Sequence, residues 1–210
     1  MTTLLHVAVS ARGAGSISRR VAGDLIDALL RDDCALRVVV RDLAAEPPPH
    51  PDAAFAVASL MAERERGDTE RRALERSEEL IGELEASDIV VVSTPMHNFA
   101  APSALKAWID YVVRPGRTFR VAPTGKIGLL ADRPILAVVA CGGRFEAGGS
   151  SQPQVDHLGP YLRYVFTAVG LTDFELLRLE QLRRGPEAAA RSLAAAQGWI
   201  DTQRARLAAR

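Results

Sequence analysis

Apolar positions along this chain fall into two kinds of run. "LLHVAVS", "ALRVVVRDL", "DIVVVSTP", "PILAVVACGG" and "DFELLRL" are short, nearly continuous and rich in Val, Ile and Leu, and they predict five β-strands. "SISRRVAGDLIDALLRD", "TERRALERSEELIGELEAS", "PSALKAWIDYVV", a segment near 152–170 and the closing "PEAAARSLAAAQGWIDTQRARLAAR" carry apolar residues at helical spacing. Strand and helix thus alternate five times. The interval from Asp42 to Gly67 breaks this rhythm: "EPPPHPD" reads as a stiff extended connection and "AAFAVASLMAERERG" as an additional short helix.

Strands that are apolar on both faces, such as Ile89 to Val92 and Ile135 to Ala140, suit a parallel sheet covered by helices on both sides. Right-handed crossovers then give an α/β fold, a doubly wound five-stranded sheet, in one domain over residues 1–210. In such a sheet ligands sit beyond the carboxyl ends of the strands where strand order reverses, which points to the loops after the first and third strands.

The first loop reads "SARGAGSISRR". Ser10, Ser16 and Ser18 bring hydroxyls to the start of a helix whose free N–H groups, including that of Ile17, and positive dipole end suit a phosphate. Serines that only cap the helix and glycines that only turn the chain are the other reading. The same loop contains Gly13-x-Gly15, which admits a dinucleotide site with Asp42 on the ribose, although Ser18 stands where that fingerprint has its third small residue.

The loop after the third strand, "PMHNFAA", turns across the sheet edge between Pro95 and Pro102. Met96 and Phe99 offer contact to a flat aromatic ligand, and Asn98 and the backbone offer hydrogen bonds to its polar edge. His97 brings an imidazole, a group that exchanges protons near neutrality, as an auxiliary donor. After the fourth strand, "ACGGRFEAGGSS" places Ala140, Cys141, Gly142 and Gly143 where backbone can approach a planar ring; Glu146 to Ser151 read as a plain surface loop.

The totals narrow the chemistry. Of 210 residues 48% are hydrophobic, enough for one substantial core, and 26 Lys plus Arg balance 26 Asp plus Glu. That balance leaves no global field for nucleic acid or an anionic membrane. Two cysteines, Cys34 and Cys141, and four histidines have neither disulfide-framework nor metal-site spacing, so no metal is expected. The apolar run at the start is too short for a signal peptide and none is long enough to span a bilayer, which predicts a cytoplasmic protein.

Taken together, Ser10, Ser16 to Ser18, Pro95 to Phe99, "ALKAWIDYVVRPGRTF", Gly128, Gly142 and Gly143, "PYL" and "GPEAAA" resemble the flavodoxin-like FMN-dependent NADH:quinone oxidoreductases, also called FMN-dependent azoreductases. The resemblance spans nearly the whole chain. It implies bound FMN, NADH or NADPH as electron donor, a quinone or azo compound as acceptor, ping-pong two-electron transfer and a homodimer. It implies no protein nucleophile, the chemistry lying on the flavin.

Members of that family often have Tyr at the position of His97, and Ser and Arg at those of Ala140 and Cys141, so the ring edge differs here. Two expectations go with the resemblance. Leu105, Trp108, Ile109 and Val112 present an apolar helix face beyond what a short covering helix needs, available to a second copy. Phe119, released by Pro115 and Gly116, reaches a neighbouring cavity to cover the acceptor. A flavodoxin-type electron carrier and a flavin-less regulatory protein are the rival classes on the same fold.

Overall fold

A computed structural model describes residues 1–145 and 153–209. Glu146 to Ser151, read above as a surface loop, lie outside the described residues. Five strands, β1 (Thr3–Ala8), β2 (Arg37–Asp42), β3 (Ile89–Pro95), β6 (Ile135–Ala140) and β7 (Phe174–Leu179), form one parallel sheet in the order β2-β1-β3-β6-β7. Each strand predicted from the apolar runs is present.

Strand order reverses between β1 and β3. The chain steps outward from β1 to β2, then returns to the other side of β1 for β3 and proceeds to β6 and β7. The carboxyl ends of β1 and β3 therefore part their loops in opposite directions and leave a crevice between them.

Helices cover both faces. On one side α1 (Ile17–Asp32) and α6 (Pro186–Ala208) pack over Leu4, Val91, Leu136, Val138 and Leu179. On the other, α2 (Ala53–Leu60), α3 (Asp68–Glu85), α4 (Ser103–Val112) and α5 (Leu158–Val169) pack over Leu5, Val7, Val90, Val92, Ile135, Ala137 and Val139. Alternate residues of β3 and β6 thus enter two different cores, and their unbroken apolar sequences follow from this. Among the described residues no helix is long and apolar enough to cross a membrane.

The α4 face corrects one expectation. Leu105, Trp108, Ile109 and Val112 are 0%, 0%, 2% and 3% exposed within the single chain, so they are not surface left over for a second copy. Trp108 lies 6.4 Å from the Phe166 ring of α5, and all four residues belong to the shared core beneath α3, α4 and α5. A ten-residue helix seated between two neighbours buries a wider arc than the strip that faces the sheet.

Two strands escaped the sequence pattern. β4 (Phe119–Ala122) and β5 (Gly125–Gly128) form an antiparallel hairpin between α4 and β6. Its inner end is pinned where Gly128 meets Gly170, the left-handed C-cap of α5: a Cβ on Gly128 would fall 2.1 Å from the Gly170 nitrogen. Phe119 pairs with Gly128, is 5% exposed and has the Lys126 ammonium 4.6 Å over its ring. The hairpin turns this ring inward, where Phe119 packs within its own chain.

Candidate active site

At the strand-order reversal a cleft of about 450 Å³ opens above β1, β3 and β6. This is within the range of roughly 300–1,000 Å³ typical of small-molecule sites. It is lined by Ser10, Ser16, Ile17 and Ser18 from the first loop, Pro95, Met96, His97 and Asn98 from the second, and Ala140, Cys141 and Gly142 from the third. Residues from three distant segments thus converge on one space. Arg12, Leu182 and Arg183 join them.

The first wall is the start of α1. Ser16 is its N-cap, with an extended backbone and a hydroxyl that accepts from the Arg19 N–H at 3.4 Å. Ser16 Oγ and Ser18 Oγ lie 3.2 Å apart, and Ser10 Oγ accepts from the Arg12 N–H at 3.3 Å. All three serines are buried, yet line the cleft. The N–H groups of Ile17 and Ser18 precede the first possible intrahelical acceptors, so the helix directs orphan donors and its positive end into a pocket of hydroxyls.

This loop is held from behind. Arg19 Nε donates to the Ser10 carbonyl at 3.0 Å, while its terminal nitrogens donate to both Asp42 oxygens at 2.7 and 2.6 Å. Asp42 also accepts from the N–H groups of Ala44 and Ala45 at 2.9 and 3.2 Å. The Arg19 guanidinium holds the Asp42 carboxyl down to about 2, and the backbone donors reinforce it. A carboxylate so engaged is not a free ribose ligand, and this removes the dinucleotide alternative raised by the glycines of the first loop.

The second wall is a tight turn. His97 N–H donates to Ala100 O at 3.1 Å and Ala100 N–H to His97 O at 2.9 Å, with Asn98 and Phe99 between them at φ of 47° and 70°. Both central residues are left-handed, as in a type I′ turn; for Phe this costs on the order of 1 kcal/mol. Met96 N–H donates to Ala140 O at 2.9 Å and ties this turn to the third loop. Phe99 is 48% exposed and is not among the residues that line the cleft.

The third wall is nearly bare. Ala140 and Gly142 present no polar side-chain atoms, and Cys141 is buried, its thiol pushed up to about 12 by burial first and then by the Glu180 and Asp156 carboxylates. Gly143 sits behind the lining, where a Cβ would fall 1.9 Å from Gln154 Oε1. Beneath β1 and β3, His6 Nε2 and Ser93 Oγ form a buried pair at 2.9 Å; desolvation and then the Arg19 charge hold the imidazole down to about 4, hence neutral. Among the described residues no three His, Cys, Asp or Glu side chains are grouped as metal ligands.

Known proteins share this architecture. Residues 2–203 match the family model described as flavodoxin-like fold. The chain is 54% identical over 199 residues to FMN-dependent NADH:quinone oxidoreductase 2 of Cupriavidus pinatubonensis, covering 95% of this chain and 96% of that one. It belongs to this family. A second relative, FMN-dependent NADH:quinone oxidoreductase of Ralstonia nicotianae, is 41% identical over 92% of both chains. The crystal structure of an FMN-dependent NADH-azoreductase from Bacillus anthracis in complex with FMN has the same fold, with TM-score 0.83, 23% identity and coverage of 99% of this chain and 100% of that chain.

An FMN-dependent NADH:quinone oxidoreductase needs a seat for a phosphate monoester and a wall for a planar ring. The α1 terminus with Ser10, Ser16 and Ser18 fits the first, and Pro95 to Asn98 facing Ala140 to Gly142 fits the second. Arg12, Leu182 and Arg183 carried no legible signal. A charged residue in a polar loop looks the same whether it faces solvent or a cleft.

Proposed function

We propose that this protein transfers two electrons from NADH or NADPH to a quinone, and to azo compounds where they fit, with FMN held in the cleft at the reversal of strand order. The observation that carries this reading is the meeting of an anion-binding helix terminus and two ring-sized walls in one space. The curated relatives that match nearly the whole chain are named for FMN, NADH and quinone.

Ser10, Ser16 and Ser18 hold the FMN phosphate with their hydroxyls, and the Ile17 and Ser18 amides donate to it. Met96 and Pro95 form an apolar wall, while Asn98 and the loop backbone meet polar edges of the ring. When bound, FMN supplies the two-electron carrier between donor and acceptor. Over one cycle NAD(P)H and a proton become NAD(P)⁺ while the quinone gains two electrons and two protons to become the hydroquinone. Donor and acceptor occupy the same open side in turn, in ping-pong order.

His97, exposed and part of the cleft lining, serves as an auxiliary proton donor to the acceptor. The Cys141 thiol stays protonated and takes no covalent part.

A homodimer and a cytoplasmic location complete the proposal, with residues 1–210 acting as one domain. Support for the dimer comes from family membership and from exposed apolar Val57, Leu60 and Tyr164, in place of the α4 face. Sedimentation at micromolar concentration tests it; a monomer contradicts it. The function itself is tested by steady-state NADH oxidation with varied quinone. Parallel double-reciprocal lines and dependence on FMN are expected, and NADH oxidation without quinone reduction would overturn the assignment.

A further inference from the structure

The chain has no net charge, but the cleft is cationic. Its lining holds two arginines, Arg12 and Arg183, and neither Asp nor Glu. Two neighbouring arginines are neutralised within the fold: Arg19 by Asp42, and Arg178 by Asp156 and Glu180. For Arg12 and Arg183, by contrast, no ion pair or side-chain hydrogen bond occurs among the described residues. Both residues are exposed, so their guanidiniums can meet an anionic group that enters the cleft.

The two arginines reach the cleft from different loops. Arg12 belongs to the loop above β1, beside the α1 terminus, and Arg183 to the loop that leaves β7. With β3 and β6 lying between β1 and β7, three strand spacings of roughly 4.8 Å each separate the loop origins. Arg12 adds its charge to the phosphate seat. Arg183 stands across the cleft, on the side of the third wall.

Arg183 is applied closely to that wall. A Cβ on Gly142 would lie 3.3 Å from Arg183 Cδ and 3.4 Å from Cγ, so the aliphatic stem runs along bare glycine backbone. This lays the guanidinium at the rim of a wall whose own side chains, Ala140 and Cys141, carry no charge. A planar guanidinium on an apolar ring wall suits an aromatic ligand bearing a carboxylate or sulfonate, because it pairs with either group through two parallel N–H bonds. The pyrophosphate of a nicotinamide donor is tethered well away from its reacting ring. A charge substituted directly on an aromatic acceptor stays within a ring's width of it.

We propose that Arg183 is a specificity residue selecting acceptors that carry an anionic substituent on the aromatic ring. The proposal rests on the oxidoreductase reading above. It needs no change in the reaction: electrons and protons go to the quinone as before, and the carboxylate or sulfonate is bound but not transformed.

The test compares FMN-loaded wild type with Arg183→Gln and Arg183→Lys, using 1,4-naphthoquinone and its 2-sulfonate as acceptors. The ratio of kcat/KM for the sulfonate to that for the neutral quinone should fall roughly five- to tenfold in the Gln variant, a range set by a partly exposed charge-assisted pair. The Lys variant should retain part of the preference, and added salt should reduce the wild-type ratio. Equal losses with both acceptors, a loss confined to the NADH half-reaction, or no loss would each overturn the proposal.

A binding measurement separates this from the underlying function. Unreactive naphthalene-2-sulfonate, followed by equilibrium dialysis against the oxidised FMN-loaded protein, should bind roughly five- to tenfold more weakly to Arg183→Gln. If that difference appears while wild type turns over neither quinone, the anion site stands and the oxidoreductase reading falls. Turnover of both quinones with equal sulfonate binding by wild type and variant has the reverse meaning.

Discussion

At Arg19 three groups distant in sequence are fixed by one side chain. It holds the Ser10 carbonyl and both Asp42 oxygens, and so sets the end of β1 against the end of β2 behind the start of α1. Arg19→Ala should weaken FMN binding about tenfold, on the scale of one or two lost charge-assisted bonds, while riboflavin affinity, which needs no phosphate seat, changes little. Fluorescence titration of the apo-protein with both flavins measures this; equal losses would place Arg19 in general stability. The pair was not legible in sequence, because 23 residues separate Arg19 from Asp42 and only the fold joins them. Legibility was better for Ser10 and Met96, which follow the apolar runs of β1 and β3, and for Ser16 and Ser18, which open the helix after the first loop.

Cys141 shows the opposite case, a reactive residue type placed where burial suppresses its thiolate. With its thiol raised to about 12, the thiolate is scarce at neutral pH. Cys141→Ser should retain most NADH-dependent quinone turnover per bound FMN, and iodoacetamide should label exposed Cys34 well before Cys141. A hundredfold loss in turnover, the scale of a catalytic group, would show that the thiol takes part.

Among the elements, α1 carries the cofactor argument. Its first turn exposes orphan N–H donors to the cleft, and the dipole there favours an anion. Changing Ser16 and Ser18 together to Asp puts two carboxylates in that place. FMN affinity should fall by at least a hundredfold through repulsion and lost space, and unchanged affinity by the same titration would remove the phosphate assignment from α1. This helix was readable because Ser16, Leu25 and Leu29 mark its cap and its buried face. The β4–β5 hairpin was not: its four-residue strands put Arg120 and Lys126 among few apolar positions, too short a pattern to separate from loop. The α4 face was read as apolar correctly but given the wrong occupant, since periodicity reports burial and not what does the burying.

For the whole molecule, the buried His6 makes stability depend on pH. The imidazole titrates near 6.5 when unfolded and at about 4 in the fold, so between these values the unfolded chain binds the additional proton. Stability from this group is fully present above about 6.5 and is lost as pH falls toward 4, by about 3 kcal/mol at most. Urea unfolding at pH 7 and pH 4.5 should show the drop in wild type and a smaller one in His6→Asn. An equal drop in both would assign the effect to other groups. Asp42 acts in a lower window: held down to about 2, it contributes above its ordinary range and loses that contribution only as pH falls toward 2.

The same scale holds the central claim, that one cleft seats a phosphate at the α1 terminus and a planar ring between the second and third loops. Titration of flavin-free protein with FMN and with riboflavin tests it most directly, because the two ligands share the ring and differ only in the phosphate. Several charge-assisted bonds at a helix terminus predict FMN binding roughly a hundredfold tighter than riboflavin, with a measurable residual affinity for riboflavin from the ring walls. Equal affinity for the two, or binding of neither, would contradict the account.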